Sequence, residues 1–206
     1  MIQIAFVVIV LIFKSQKVYG SFIVVFLELI YLFPTVIILS VRHANYKLLG
    51  YRRFNLGFIM IGCGLLVVAY FITLVNNTLF LMFGKNIQAN EIALLLGTLS
   101  SPYSFIFTGV VLAPIVEETF FRGFLFAGFR QRYGYNKAAL LSSAIFAAAH
   151  LESSIFVPTF VLGLIFSYLY QKSNSVFPGM IMHFLVNAFG IITIFELTRY
   201  GLFTPR

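Results

Sequence analysis

Apolar runs of membrane length, cut by short polar clusters, organise the whole chain. Ile2 to Phe13 is short and ends at Lys14 and Lys17, while Val18 to Val41 makes a full span closed by Arg42, Lys47, Arg52 and Arg53. Phe54 to Phe83 is long enough to tilt or break. After Gly84 and Lys85 comes Glu91 to Ser100, which is too short to cross a bilayer core that takes roughly 20 helical residues, and it reads as interfacial or re-entrant. Tyr103 to Phe129 is the next span, followed by Arg130, Arg132 and Lys137; then come Ala138 to about Leu151, Ile155 to Tyr170, and Val176 to Leu197. The pattern predicts an all-α, polytopic transmembrane helical bundle of about seven spans, within a range of roughly six to eight. Helices are required because an isolated strand cannot satisfy its backbone polar groups in lipid.

Composition agrees with the pattern. The 206 residues are 61% hydrophobic and 10% charged, against about 25% charged in a soluble domain. No linker or low-complexity tract interrupts them, so residues 1–206 read as a single membrane domain. The 14 Lys and Arg against 6 Glu, with no Asp, give a net charge of +8. In a membrane chain such an excess serves orientation and contact with anionic lipid, and the dispersal of the basic residues between apolar runs speaks against nucleic acid as a partner. With seven spans, the loops after the second, fourth and sixth hold most of the basic residues, which places those loops and the N-terminus in the cytoplasm. Met1 to Phe13 has no basic n-region and no small-residue cleavage site follows it, so a cleaved signal peptide is not expected. No repeat relates the two halves, which argues against a transporter built from inverted repeats. The lone Cys63 lies in an apolar run and reads as a buried small residue.

Ionisable groups at mid-span carry the chemical argument. Glu117 and Glu118 fall near the middle of Tyr103 to Phe129, where an ionised carboxylate costs about 2.5 kcal/mol or more. Adjacent positions on a helix point about 100° apart, while Glu118 and Arg122, four residues apart, share a face and can pair. Glu117 is left without a local counter-charge, the setting of a general base or acid. His150 closes Phe146-Ala147-Ala148-Ala149-His150, whose alanines admit a close neighbouring helix. His183 and Asn187 again share a helical face. Neither suits lipid, so both are expected to face the same interior as Glu117.

Peptide hydrolysis needs an activated water, a base for its proton and donors for the oxyanion. Glu117 with His150 can polarise the water, and His183 with the Asn187 amide can serve the oxyanion. The competing chemistry is a zinc sphere of Glu117, His150 and His183. The His-Glu-x-x-His signature is absent, however, and no metal or other cofactor is expected. A salt-bridged bundle interior and a proton-coupled transporter also place Glu and His in membranes; His and Asn one turn apart, and the missing repeat, favour hydrolysis.

The ordered set Glu117-Glu118-Thr119-Phe120-Phe121-Arg122, Phe146-x-x-x-His150 and His183-x-x-x-Asn187 resembles the three motifs of the CAAX-protease and bacteriocin-processing (CPBP, or Abi) membrane endopeptidases. Arg122-Gly123, His150-Leu151 and Ser173-Asn174-Ser175 leading through Pro178 to His183 are similar to that family as well. The resemblance covers residues 104–190 as a catalytic core and leaves the N-terminal spans, 1–90, without recognisable chemistry. It implies Glu117 and His150 on the nucleophilic water, His183 and Asn187 at the oxyanion, and Glu118 and Arg122 in support. It also implies a glutamate-type intramembrane protease, with a metalloprotease as the alternative, acting on a membrane-associated peptide or protein in a bacterial plasma membrane. Bacteriocin or peptide processing and self-immunity are the roles it suggests. A non-catalytic immunity or regulatory binding protein of the same fold is the other reading. Outside the motifs, Glu28 reads as a structural partner in the bundle, Glu152 as a residue near a helix end, and His43 as a solvated loop residue.

Overall fold

The computed structural model describes residues 25–26, 28–41, 43, 45–85, 87–98 and 102–203. The expected first span, Ile2 to Phe13, and the start of the second lie outside them. Helix α1 (Leu32–Val41) is extended backward to Glu28 through a turn at Tyr31. A short 3-10 turn at Tyr46–Leu49 leads to α2 (Gly57–Met82), and α3 (Gln88–Thr98) follows. A long helical stretch then runs as α4 (Pro102–Phe107), a π-helical segment Thr108–Leu112, α5 (Ala113–Glu118), a second π segment Thr119–Phe126, and α6 (Ala127–Ala149). α7 (Phe156–Ser173) and α8 (Phe177–Arg199) complete the bundle. Among the described residues there is no strand.

Four described helical stretches are long and apolar enough to cross a membrane: Gly57–Met82, Pro102–Ala149, Ser153–Ser173 and Phe177–Arg199, with Glu28–Val41 a shorter apolar helix. The chain is a multi-pass membrane protein. The stretch Pro102–Ala149 contains two runs expected as separate spans. Gly134, at φ 76° and ψ 175°, leaves helical geometry inside it and separates Phe129 from Ala138, as the polar cluster between them requires.

Local chemistry sets the helix ends. Asn55 Oδ1 accepts from the Gly57 backbone N–H at 2.7 Å and so starts α2. Asn174, left-handed at φ 51°, ends α7; Ser175 Oγ then accepts from Phe177 N–H and Pro178 sits in the first turn of α8. Between helices, small residues permit close approach, the usual device where lipid tails offer no hydrophobic drive for association. A Cβ at Gly62 of α2 would fall 2.5 Å from Met182 Sδ of α8, and one at Gly163 of α7 would fall 2.8 Å from Ser143 Cβ of α6.

The basic loops converge at one end of the bundle. Ser175 Oγ donates to Arg52 O at 2.7 Å, Val176 N–H to Gly50 O at 3.0 Å, and Arg130 Nη1 to Gln171 Oε1 at 2.7 Å. These contacts tie together loops that the sequence assigns to one membrane face. Toward the other end, Asn76 of α2 donates to the carbonyl of Ser154, in the turn between α6 and α7. The expectation for Cys63 is corrected: the residue is exposed, on the side of α2 that also presents Met60 and Val67, and lies where lipid would contact it.

Candidate active site

The Glu117–Glu118 pair ends α5, bracketed by the two π segments. A π turn inserts a residue into the helical ladder and is common at functional sites, since it re-aims side chains and loosens backbone pairing. Both glutamates are buried, at 6% and 0% exposure. Glu118 faces the protein interior behind the site. Its Oε1 accepts from Arg122 Nη1 at 2.9 Å, and Arg122 Nη2 donates on to Gly163 O of α7 at 3.3 Å. The guanidinium also lies over the rings of Phe146 at 4.2 Å and Phe166 at 5.1 Å. A buried cation is tolerated here because a carboxylate, a carbonyl and aromatic faces together replace its water.

Glu118 also reaches the imidazole of α8: its Oε1 lies 3.2 Å from His183 Nδ1. A carboxylate already accepting from Arg122 can only accept again, so Nδ1 carries the hydrogen and Nε2 is turned to the cavity. His183 Nε2 stands 3.8 Å from Glu117 Oε2, and Phe166 stacks on its ring at 5.3 Å. His150 is fixed by the same logic. Its Nδ1 lies 2.8 Å from the carbonyl of Phe146, an obligate acceptor, so that nitrogen donates and Nε2 is left free. Leu151, at φ 53°, turns the chain away immediately after it.

Glu117, His150, His183 and Asn187 line one cavity of about 220 Å³, with Phe146, Ile155, Pro158 and Leu162 supplying apolar wall. Of the six residues singled out from the sequence, these four meet at the cavity, and Glu118 and Arg122 form the layer behind His183. Asn187 is partly committed, since its Nδ2 donates to Gly109 O in the first π segment at 2.7 Å. One amide hydrogen remains for a ligand. Among the described residues no three His, Cys, Asp or Glu side chains converge as a metal sphere, so the zinc alternative finds no preformed donor set in Glu117, His150 and His183.

Several residues of the site were not singled out by their sequence pattern. Gly179 of α8 faces Glu118, whose Oε2 would be 2.9 Å from a Cβ there. Gly163 presents the carbonyl that holds Arg122. Glu28, read from the sequence as a structural partner in the bundle, is 2% exposed, and neither of its carboxyl oxygens has a hydrogen-bond partner among the described residues. An isolated Glu inside an apolar run was the one signal for it.

Residues 99–189, which contain this entire constellation except Glu28, match the family described as type II CAAX prenyl endopeptidase, Rce1-like. This segment is similar to that family. The chain is also 27% identical over 170 residues to the membrane-embedded CAAX protease MroQ of Staphylococcus aureus (strain USA300), covering 80% of this chain and 64% of MroQ. It is 22% identical over 138 residues to YdiL of Bacillus subtilis (strain 168), whose name provisionally ascribes a membrane peptidase activity to it; 65% of this chain and 57% of YdiL are covered. The UPF0177 protein YxdF of Lactococcus lactis subsp. lactis (strain IL1403) is 31% identical over 97 residues, 44% of this chain and 53% of YxdF. The chain thus spans less than two thirds of the length of each of these relatives. No solved structure matches it.

Proposed function

We propose that this protein is a bacterial intramembrane endopeptidase of the glutamate type, hydrolysing a peptide bond in a membrane-associated substrate. The observation that carries this reading is the shared cavity: a carboxylate and two imidazoles, each imidazole with Nδ1 engaged behind it, line an apolar space. The family match of residues 99–189 and the relatives named for protease or peptidase activity support the reaction class.

In the proposed mechanism a water between Glu117 and His150 gives up a proton to Glu117 as its oxygen adds to the scissile carbonyl carbon. The carbonyl π pair moves to oxygen, giving a tetrahedral oxyanion. His183, whose Nε2 stands 3.8 Å from Glu117, receives that proton from Glu117 and donates a hydrogen bond to the oxyanion. Glu118, accepting from Nδ1, holds the imidazole in this orientation, while Arg122 keeps Glu118 in place. The remaining Asn187 amide hydrogen is the second donor. Collapse of the intermediate breaks the C–N bond, and the proton taken from water passes to the departing amine. The apolar walls fit a peptide segment presented from lipid, where few polar groups would need to be desolvated.

The test is cleavage in proteoliposomes of membrane-anchored peptides, beginning with those encoded beside this gene, by wild type and Glu117→Gln. Cleavage by the wild type alone is the expected result. Equal cleavage by both removes Glu117 from the chemistry. A complete biological effect from Glu117→Gln in cells would favour the non-catalytic binding protein.

A further inference from the structure

The cavity does not end at the catalytic groups. Along α8 it is lined by His183, Val186, Asn187, Gly190, Ile191 and Ile194, a single helical stripe spaced by three and four residues. The arm beyond Asn187 extends about 10 Å along the helix axis. It runs away from the basic loops, which gather at the start of α8 around Ser175 and Val176. Helix α3 closes one side: Gln88 and Ile92, one turn apart, line the cavity, and Ile92 and Ile194 pack on the cluster that holds Ile191. Helix α2 adds Tyr70 and Thr73, with the Tyr70 ring 5.5 Å from that of Phe189 on α8.

Two features of this arm have no use in the bundle itself. A Cβ at Gly62, Gly163 or Gly179 would fall 2.5, 2.8 or 2.9 Å from an atom of a neighbouring helix, so those glycines serve packing; a Cβ at Gly190 would meet nothing within 4 Å. Glycine inside a helix costs roughly 0.5–1 kcal/mol relative to alanine. At Gly190 the missing side chain widens the cavity and admits no helix. The second feature is the Gln88 carboxamide, which lines the cavity and forms no hydrogen bond to a described residue. Thr73 is partly engaged, since its Oγ1 donates to Ala69 O at 2.9 Å and retains only acceptor capacity. Among the described residues no charged side chain lines the arm beyond Asn187.

An extended peptide in an apolar space needs partners for its backbone N–H and C=O groups. A carboxamide offers a donor and an acceptor together, without the cost of burying a charge. A helical segment would satisfy its own backbone, and at about 10 Å across it would not enter a slot between α2, α3 and α8. We propose that this arm binds the substrate chain beside the scissile bond as an extended, uncharged segment of about three residues, each spanning roughly 3.3 Å. Gly190 leaves room for branched aliphatic side chains, and the Gln88 carboxamide pairs with the substrate backbone. The role as a substrate groove rests on the proteolytic reading; the capacity of the arm to hold an uncharged, extended peptide does not.

Two variants of the full-length protein in lipid test this. Gly190→Leu fills the arm, and Gln88→Leu removes the amide at similar bulk. The probe is a membrane-anchored peptide with isoleucine or leucine on both sides of the cleaved bond. Gly190→Leu should raise its KM at least about tenfold with a smaller change in kcat, while the melting temperature stays at or above that of wild type. Alanine in place of those aliphatic residues in the peptide should recover most of the loss, a compensation that general loosening of the fold would not produce. Gln88→Leu should raise KM about three- to tenfold, the size of one neutral hydrogen bond. A wild-type KM in Gly190→Leu, a Gly190→Leu protein that does not fold, or a loss that the smaller peptide fails to recover overturns the groove. A wild-type KM in Gln88→Leu overturns the backbone pairing. If the wild type cleaves nothing, binding of the same peptide, dye-labelled, to the protein in lipid nanodiscs decides the matter. Binding weakened at least about tenfold by Gly190→Leu retains the arm and rejects the protease reading, whereas equal binding by the two proteins overturns the arm.

Discussion

Glu118 Oε1 accepts from Arg122 at 2.9 Å while lying 3.2 Å from His183 Nδ1, so one buried oxygen neutralises a guanidinium and orients an imidazole. The four-residue spacing of Glu118 and Arg122 sets up the first contact. The second depends on α8 crossing α5 at Gly179, where the absent side chain leaves room for the carboxylate.

Glu118→Gln should damage both folding and turnover. Removing the carboxylate leaves Arg122 charged and fully buried, a change that typically costs about 3–5 kcal/mol. The melting temperature of the protein in mild detergent should fall clearly, and cleavage should drop about 100-fold or more. An unchanged melting temperature would mean that Arg122 finds its counter-charge elsewhere.

Gly179→Ala tests the helix crossing. The new Cβ would stand 2.9 Å from Glu118 Oε2 and 3.6 Å from Phe166 Cβ. Glu118 must move, carrying His183 out of line, so cleavage should fall at least about tenfold with a smaller loss of stability than in Glu118→Gln. Gly128→Ala, with nothing within 4 Å of the added methyl, is the control and should behave as wild type in the same assays.

Much of this site is legible in the sequence because its residues are expensive where they stand. A glutamate pair, two histidines and an asparagine inside apolar runs need interior partners, and i, i+4 spacing supplies Arg122 for Glu118. The helical class and most span limits follow from apolar run length. What the spacing does not reveal is tertiary. Glu118 meets His183 across 65 positions, and Asn187 meets Gly109 across 78. The π segments and the exposure of Cys63 were also not legible, since both depend on which helix faces which neighbour.

Asn187 should prove to be both structural and functional. Its Nδ2 donates to Gly109 O within a π segment, where the helical ladder leaves carbonyls short of partners. Asn187→Ala should lower the detergent melting temperature as well as turnover, whereas His183→Ala should lower turnover about 100-fold or more through loss of oxyanion stabilisation. Equal stability of Asn187→Ala and wild type would remove the structural part of this account.

Chelation distinguishes the two catalytic types. With a glutamate mechanism, prolonged treatment with EDTA or 1,10-phenanthroline should leave cleavage within about twofold of the untreated enzyme, a margin far smaller than loss of a catalytic group produces. Full inhibition that zinc restores would instead favour metal chemistry at Glu117, His150 and His183.

The most direct test of the central claim is the cleavage rate of Glu117→Gln beside that of wild type, both reconstituted in lipid and matched for folded protein. The substitution keeps the volume and a polar group but cannot accept the proton from water, so the rate should fall by about two or more orders of magnitude while the melting temperature hardly changes. A Glu117→Gln protein that cuts the same bond at the wild-type rate would contradict the account.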